Sequence, residues 1–387
     1  MPDFFQMRLT RSLPMMMLAL CLSSVPPVVA ADLADPVEVL RVPAGGIQPQ
    51  IAFGPDGALH LLYFRGDSHA GDLYYMRRPP GQTAFADTVQ VNSTPGSIIA
   101  VGTVRGGHMA LGKNGRVHVA WMSADRDAPG MMYTRMADDG THFEPQRNVA
   151  LTHTHLDGGG SIAADDSGGV YVAWHSGNSG EELRRIWMAR STDDGKTFRA
   201  EERSNPIETG ACGCCGMRAG SDSGGNIYMM YRAARASVHR DMTLLVSGDG
   251  GESFRSTTVG PWDLAACPMS TTQISASESG VLIAWETDGQ IYWSRLAPES
   301  PDLSDPAFPP AEETKRKHPA IAGGTDGQTL LAWTEGTGWK RGGSLGWQIF
   351  DSEDRPTSER GRIDGAIPVW GSAAVAARPE GGFLLVY

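Results

Sequence analysis

The chain lacks most of what would tie it to a membrane or a nucleic acid. Beyond the first thirty positions there is no second hydrophobic segment, so no membrane span is expected. Cationic residues are in deficit: 33 Lys and Arg stand against 44 Asp and Glu, a formal charge of −11, and no Lys/Arg cluster breaks the pattern. That balance excludes a nucleic-acid surface as the main function. Cysteine is scarce too, with five residues in 387. Four of them, Cys212, Cys214, Cys215 and Cys267, fall within one stretch of the chain.

What is abundant is glycine, 48 residues, alongside 10 tryptophans, a composition suited to many tight turns around a layered β core. An eight-residue phrase recurs. Ser191-Thr192-Asp193-Asp194-Gly195-Lys196-Thr197-Phe198 returns 56 residues later as Ser247-Gly248-Asp249-Gly250-Gly251-Glu252-Ser253-Phe254. A weaker copy, Met136 to Phe143, precedes the first by 55. The Asp side chain can bind nearby backbone N–H groups, the Gly supplies positive φ, and the Phe pins the turn to the core. A fixed period of this length marks a repeat architecture.

A second repeat runs beneath it: a short apolar strand, a Gly-containing turn, then a longer apolar strand that often ends in an aromatic. Seven copies run from Ile51–Phe64 to Ala373–Tyr387, with turn glycines at 57, 115, 169, 225, 280, 327 and 382. A third strand follows each of the first six, and the Asp phrase turns it into a fourth. The expected fold is therefore all-β, a β-propeller of four-stranded blades. Seven blades are expected, with Val37 to Val42 supplying the outer edge of the seventh and hiding an open edge. Six blades plus a partial unit is the alternative, and a Gly-rich β-sandwich is the weaker one.

Residues 1–30 read as a signal peptide: Arg8 and Arg11, the apolar run Met15 to Leu22, then Val28-Val29-Ala30 as a small-residue cleavage pattern. Leu20 stands where a lipobox before Cys21 needs Gly, Ala or Ser, which argues against lipidation. Residues 31–387 are expected to form a single exported propeller, periplasmic or secreted.

The eight-residue phrase resembles the Asp box (BNR repeat) of the sialidase superfamily, and the resemblance covers nearly the whole mature chain. Sialidase propellers have six blades. They hold the substrate carboxylate with three arginines, use a Tyr assisted by a Glu as nucleophile, and an Asp as acid/base. Their first arginine lies in a Phe/Tyr-Arg-Ile-Pro motif. Leu40-Arg41-Val42-Pro43 is similar, but it lies too far upstream, and Gln48-Pro49-Gln50 occupies the equivalent point of the hairpin. The catalytic likeness is therefore poor. The Asp boxes belong to the face opposite any axial pocket, so Asp193 and Asp249 are expected to be structural.

Aligning the repeats gathers the chemistry-bearing residues at the other face. The loops before each inner strand hold Gln48 and Gln50, His108, Asp157 with three glycines, the Cys212-Gly213-Cys214-Cys215 run, Cys267 with Met269, and Lys317-His318. The ends of the second strands add Arg65, His175, Arg232, Glu286 and Glu335. Glu286 and Glu335 are the best pair for acid/base work, with Arg65, Arg232 and Asp157 as further candidate catalytic residues; the alternative is that the carboxylates merely end strands.

The exported setting makes a disulfide between Cys267 and one of Cys212, Cys214 or Cys215 the first expectation. The alternatives are thiol redox chemistry, or a soft-metal site for copper or zinc built from Cys212, Cys214, Cys215 and Cys267 with Met269, His108 and His318, and with Met217 nearby. Cys-x-Cys-Cys is not a standard zinc spacing. His153-Thr154-His155 reads as a solvated loop. The expected function is binding of a small ligand or soft metal, with a glycan-cleaving hydrolase as the alternative; the partner is a small molecule, glycan or metal.

Overall fold

The second strand of each repeat explains the architecture. Val170–Ser176 is buried along its whole length, and Gly280–Thr287 nearly so. A strand covered on both faces reads as a continuous apolar run, and here the covers are the neighbouring sheets. The computed structural model describes residues 36–298, 302–310 and 315–387. The expected signal peptide lies outside the described residues.

Seven sheets follow one another around a ring. Blade one comprises Ile47–Phe53, Leu59–Asp67, Ala70–Arg78 and Val89–Gln90. Blade two comprises Gly107–Leu111, Val117–Met122, Met131–Arg135 and Arg147–Asn148. Blade three is Leu156–Ala164, Val170–Ser176, Arg185–Ser191 and Glu202–Arg203. Blade four is Arg218–Ser221, Ile227–Arg232, Met242–Ser247 and Arg255–Gly260. Blade five has, among the described residues, three strands, Gln273–Ser277, Gly280–Thr287 and Gln290–Leu296, with single bridges at Leu303 and Ala307 along its outer edge. Blade six is Arg316–Gly323, Thr329–Glu335, Gly343–Phe350 and Pro356–Ile367.

Blade seven closes the ring. Ala374–Ala377 and Phe383–Val386 form its hairpin, and Val37–Leu40 adds as a parallel outer strand, Val37 opposite Phe383 and Leu40 opposite Val386. This is the closure expected from the sequence, and it settles the blade count at seven.

Seven apolar clusters fill the seams between blades. Leu62, Phe64 and Trp121 join blades one and two, and Leu384, Val386, Leu59 and Tyr63 join seven and one. The Asp boxes work on these seams. Asp193 accepts from the Thr197 N–H at 2.9 Å and from its hydroxyl at 2.7 Å. Asp249 repeats the arrangement on Ser253 at 3.0 and 2.6 Å. Burial pushes the Asp193 carboxyl up, but bonds from Thr197 and Ser191 outweigh it and hold it at about 2. Phe198 then packs edge-on against Tyr133 of the preceding blade, 4.8 Å between ring centres, as Phe143 does against Tyr75. The boxes sit at the ends of third strands, beside the turns that join first and second strands: Asp194 N–H donates to Gly168 O at 2.9 Å. No helix among the described residues is long and apolar enough to cross a membrane.

Candidate functional site

The opposite face carries the cysteines. The run Cys212–Cys215 leads into the first strand of blade four and is folded onto three blades. The Cys212 N–H donates to Arg232 O at 2.8 Å, and the Gly216 N–H donates to Ser270 O at 2.9 Å. His175 Nε2 donates to the Cys215 carbonyl at 3.1 Å. Gly158 lies against this loop so closely that a Cβ there would strike the Gly213 carbonyl. Gly158 thus gives the cysteine loop room to approach, while Asp157 itself pairs with Arg105 at 2.9 Å and Arg184 at 3.6 Å.

The three sulfurs converge. Cys212 Sγ lies 3.2 Å from Cys214 Sγ and 3.7 Å from Cys215 Sγ, and all three fall within 4.8 Å of one another. A second group shares Cys214: its Sγ, the Cys267 Sγ and a Glu181 carboxylate oxygen also lie within 4.8 Å of each other. Cys212 and Cys215 are buried, Cys214 is half-buried and Cys267 is exposed. All four are thiols. The disulfide expected between Cys267 and the cysteine run is not formed: Cys267 stands on the adjacent loop as the repeat alignment required, but no sulfur pair is at the ~2.05 Å of a bond.

The electrostatics divide the thiols. Burial acts to raise Cys215, yet hydrogen bonds from Cys212 and Cys214, the Arg232 guanidinium and the Ser270 backbone together hold it well below the usual thiol range. Cys212 is pushed up, because Cys215 and burial outweigh an opposing bond with Cys214, and Cys214 is pushed up by Cys212, Cys215 and burial. A lowered thiol beside two raised ones, close to a guanidinium, is a donor set suited to a soft cation. Four-coordinate zinc at ~2.3 Å from each sulfur separates the sulfurs by roughly 3.8 Å, close to the Cys212–Cys215 spacing.

The remaining expected metal ligands divide between two cavities. Met269, His318 and Cys267 line a hollow of about 80 Å³ with Trp339, Trp370 and Lys317. His108 and His318 both line the axial cavity, with Gln48, Gln50 and Arg218. His108 Nδ1 lies 2.8 Å from Ser161 Oγ and 3.1 Å from an Arg218 nitrogen. Burial, then Arg218, holds His108 well below its ordinary value. His318 is brought to about 3, by burial first and then by Lys317. Met217 is buried in the seam between blades three and four.

Neither cavity gathers the five candidate catalytic residues. Arg65 is exposed and stacks on Tyr74, 4.5 Å from the ring centre. Arg232 is sealed: it donates to Arg240 O at 2.7 Å and to Glu286 O at 2.5 Å, and lies over Trp262. Glu286 accepts from the Gly289 N–H at 2.7 Å. Glu335 accepts from Trp333 Nε1 and from Arg362, each at 2.8 Å. Arg41, from the motif-like segment, packs on Tyr387 at the closure. His153 stacks on Trp187, with 3.2 Å between ring centres.

Two contributors were not read from the sequence. Glu181 reaches the thiols from the loop after the second strand of blade three, six residues beyond His175, where the length of that loop was the available signal. Arg240, paired with Glu181 at 2.6 Å, comes from an insertion in blade four that no repeat alignment covers.

No protein-family profile matches the chain, and no curated protein matches it in sequence. Solved structures do match in fold. The Trypanosoma rangeli sialidase superposes with a TM-score of 0.50 at 12% identity, over 76% of this chain and 53% of its own. A Penicillium chrysogenum α-L-arabinanase, complexed with arabinobiose, does so with a TM-score of 0.50 at 11% identity, over 81% and 95%. The chain spans about half the length of the sialidase. At such identities the likeness is one of fold: a sialidase-like propeller.

Proposed function

We propose that this protein is an exported, sialidase-like propeller that binds a soft metal ion, copper(I) first and zinc second, through Cys212, Cys214 and Cys215, with Cys267 as the solvent-side ligand. One observation carries the reading: three sulfurs from a four-residue run lie within 4.8 Å of one another on a rigid loop, with a fourth beside them. Thiolate sets select copper(I) and zinc over harder ions. The loop is braced by backbone bonds to Arg232 and Ser270, so little reorganisation opposes binding. The metal would be held between blades four and five, with Cys214 as the shared ligand of the two groups.

A glycan-cleaving reading has the fold in its favour and little else. In the folded chain Glu286 faces Arg232 and Glu335 faces Arg362, so neither carboxylate is turned toward a cavity with a partner acid. Fold alone does not fix activity.

The test is an anaerobic titration of the purified chain with copper(I) against a chromophoric chelator, with elemental analysis of the same sample. One equivalent of tightly held metal is expected, falling at least tenfold in affinity in Cys214→Ser. A protein with four titratable thiols and no stoichiometric copper or zinc would overturn the proposal. No turnover of an aryl sialoside is expected.

A further inference from the structure

The propeller axis holds a positive charge with no counter-charge. Arg218 opens the first strand of blade four, and its side chain lines the axial cavity, of about 40 Å³. One terminal nitrogen donates to Gln50 Oε1 at 2.8 Å and lies 3.1 Å from His108 Nδ1. Nε is buried and makes no hydrogen bond. Nothing among the described residues forms an ion pair with Arg218, and no Asp or Glu lines the cavity. The other ionisable groups there do not help. Burial keeps His108 and His318 neutral, and Arg105 is itself a cation, already paired with Asp157. Burial alone pulls Arg218 down to about 10, so it stays charged at neutral pH.

An arginine enclosed in this way is costly unless something neutralises it. Its unbonded edge offers parallel N–H groups, the geometry that receives anions. Gln273 adds a side-chain amide whose buried oxygen has no partner, and turning that amide presents N–H groups in place of the oxygen. The space takes a few atoms and no sugar. We infer that the axial cavity is a binding site for a small monovalent inorganic anion, chloride or nitrate, held by Arg218 at the centre of the ring. This site is separate from the cysteine centre, and it ties blade four to blades one and two through Gln50 and His108. It belongs to the native fold, so anion binding stabilises the folded ring.

The experiment is thermal unfolding of the full chain in potassium chloride, nitrate and gluconate at one fixed ionic strength, beside the ³⁵Cl NMR linewidth of the native protein. Gluconate is too large for the cavity and serves as the reference. Melting is expected to rise saturably by about 2 °C or more in chloride or nitrate over gluconate. Arg218→Met should lose that difference. The chloride line should broaden beyond the hydrodynamic background and sharpen when nitrate is added; this readout needs no variant, so it stands even if Arg218→Met fails to fold. Equal melting in all three salts together with no excess broadening would overturn the assignment, as would an undiminished anion effect in a folded Arg218→Met.

Discussion

Arg232 and Glu286 face each other at 3.9 Å, with neither side chain more than 1% exposed. The pair joins the second strand of blade four to that of blade five, and the guanidinium also donates to the Glu286 main-chain carbonyl. Burial raises the Glu286 carboxyl against the pull of the Gly289 N–H and of Arg232. Removing the cation leaves the buried carboxyl without its counter-charge and takes the guanidinium donor from two main-chain carbonyls. Arg232→Met is therefore expected to destabilise the fold by about 3–5 kcal/mol, and Glu286→Gln by roughly 1–2 kcal/mol. Urea unfolding of both variants checks the order; a larger loss in Glu286→Gln would contradict it.

Thiol accessibility should follow the gradient from surface to loop interior. Cys267 is expected to react first with a small aromatic disulfide under native conditions, Cys214 next, and Cys212 and Cys215 only on unfolding. Four thiols should appear in denaturant from residues 31–387. Prior loading with copper(I) should protect Cys267 and Cys214, the two thiols otherwise open to the reagent. Mass mapping of the modified peptides reads the order, and simultaneous modification of all four in the native protein would refute it.

Two equivalent glycines separate the cost of backbone strain from that of packing. Gly140 and Gly195 occupy the same box position with φ of 69° and 75°. A Cβ at Gly140 meets nothing, whereas at Gly195 it strikes the Tyr133 hydroxyl. Gly140→Ala should cost about 1 kcal/mol, the left-handed penalty alone. Gly195→Ala should cost roughly 2 kcal/mol more, because Tyr133 is fixed by His118 at 2.7 Å and by Phe198 and cannot yield freely. Equal chemical-denaturation midpoints would show that the box does not clamp the neighbouring blade.

Acid should weaken the fold before the carboxylates titrate. His60 is held at about 4, by burial first and then by Arg77, and it bonds the Tyr75 hydroxyl at 2.7 Å. Its folded value lies below the ordinary 6.5, so the unfolded chain takes up a proton that the folded chain refuses. The stability it contributes is whole above pH 6.5 and is lost as pH falls toward 4. Between pH 7.5 and 5 the loss should be about 2 kcal/mol from this residue. His318, held at about 3, acts in the same direction. Denaturation in urea across that range should show a shallower pH slope in His60→Gln; an unchanged slope would remove His60 from the account.

The sequence made the ring legible because each blade repeats one local pattern. The turn glycines and the Asp boxes fix where strands start, and the edge pairing of Val37 to Leu40 follows from a seventh hairpin left one strand short. The site was legible only in part. Repeat alignment brings Cys212, Cys214, Cys215 and Cys267 to one face, and there the structure places them. It cannot say which way a side chain turns. Arg232 and Glu286 look like ligands at strand ends, yet they turn toward each other beneath the surface. Arg218 looks like one arginine among several, and its isolation shows only once the partners of Arg65 and Arg232 are known. Glu181 and Arg240 sit in loops between second and third strands, which differ in length from blade to blade, so no alignment of repeats reaches them.

The closing strand also sets a kinetic order. Arg41 and Tyr387 touch across 346 positions of sequence, and the parallel pairing beside them is the most non-local contact in the ring. Each earlier hairpin can form from neighbours in sequence, but this one must wait until both distant segments meet, against the entropy of the largest loop the fold contains. Ring closure should therefore be the slow, late event of folding. The same seam should be where amide hydrogens of residues 37–40 first exchange with solvent, a breathing point from which the circle opens.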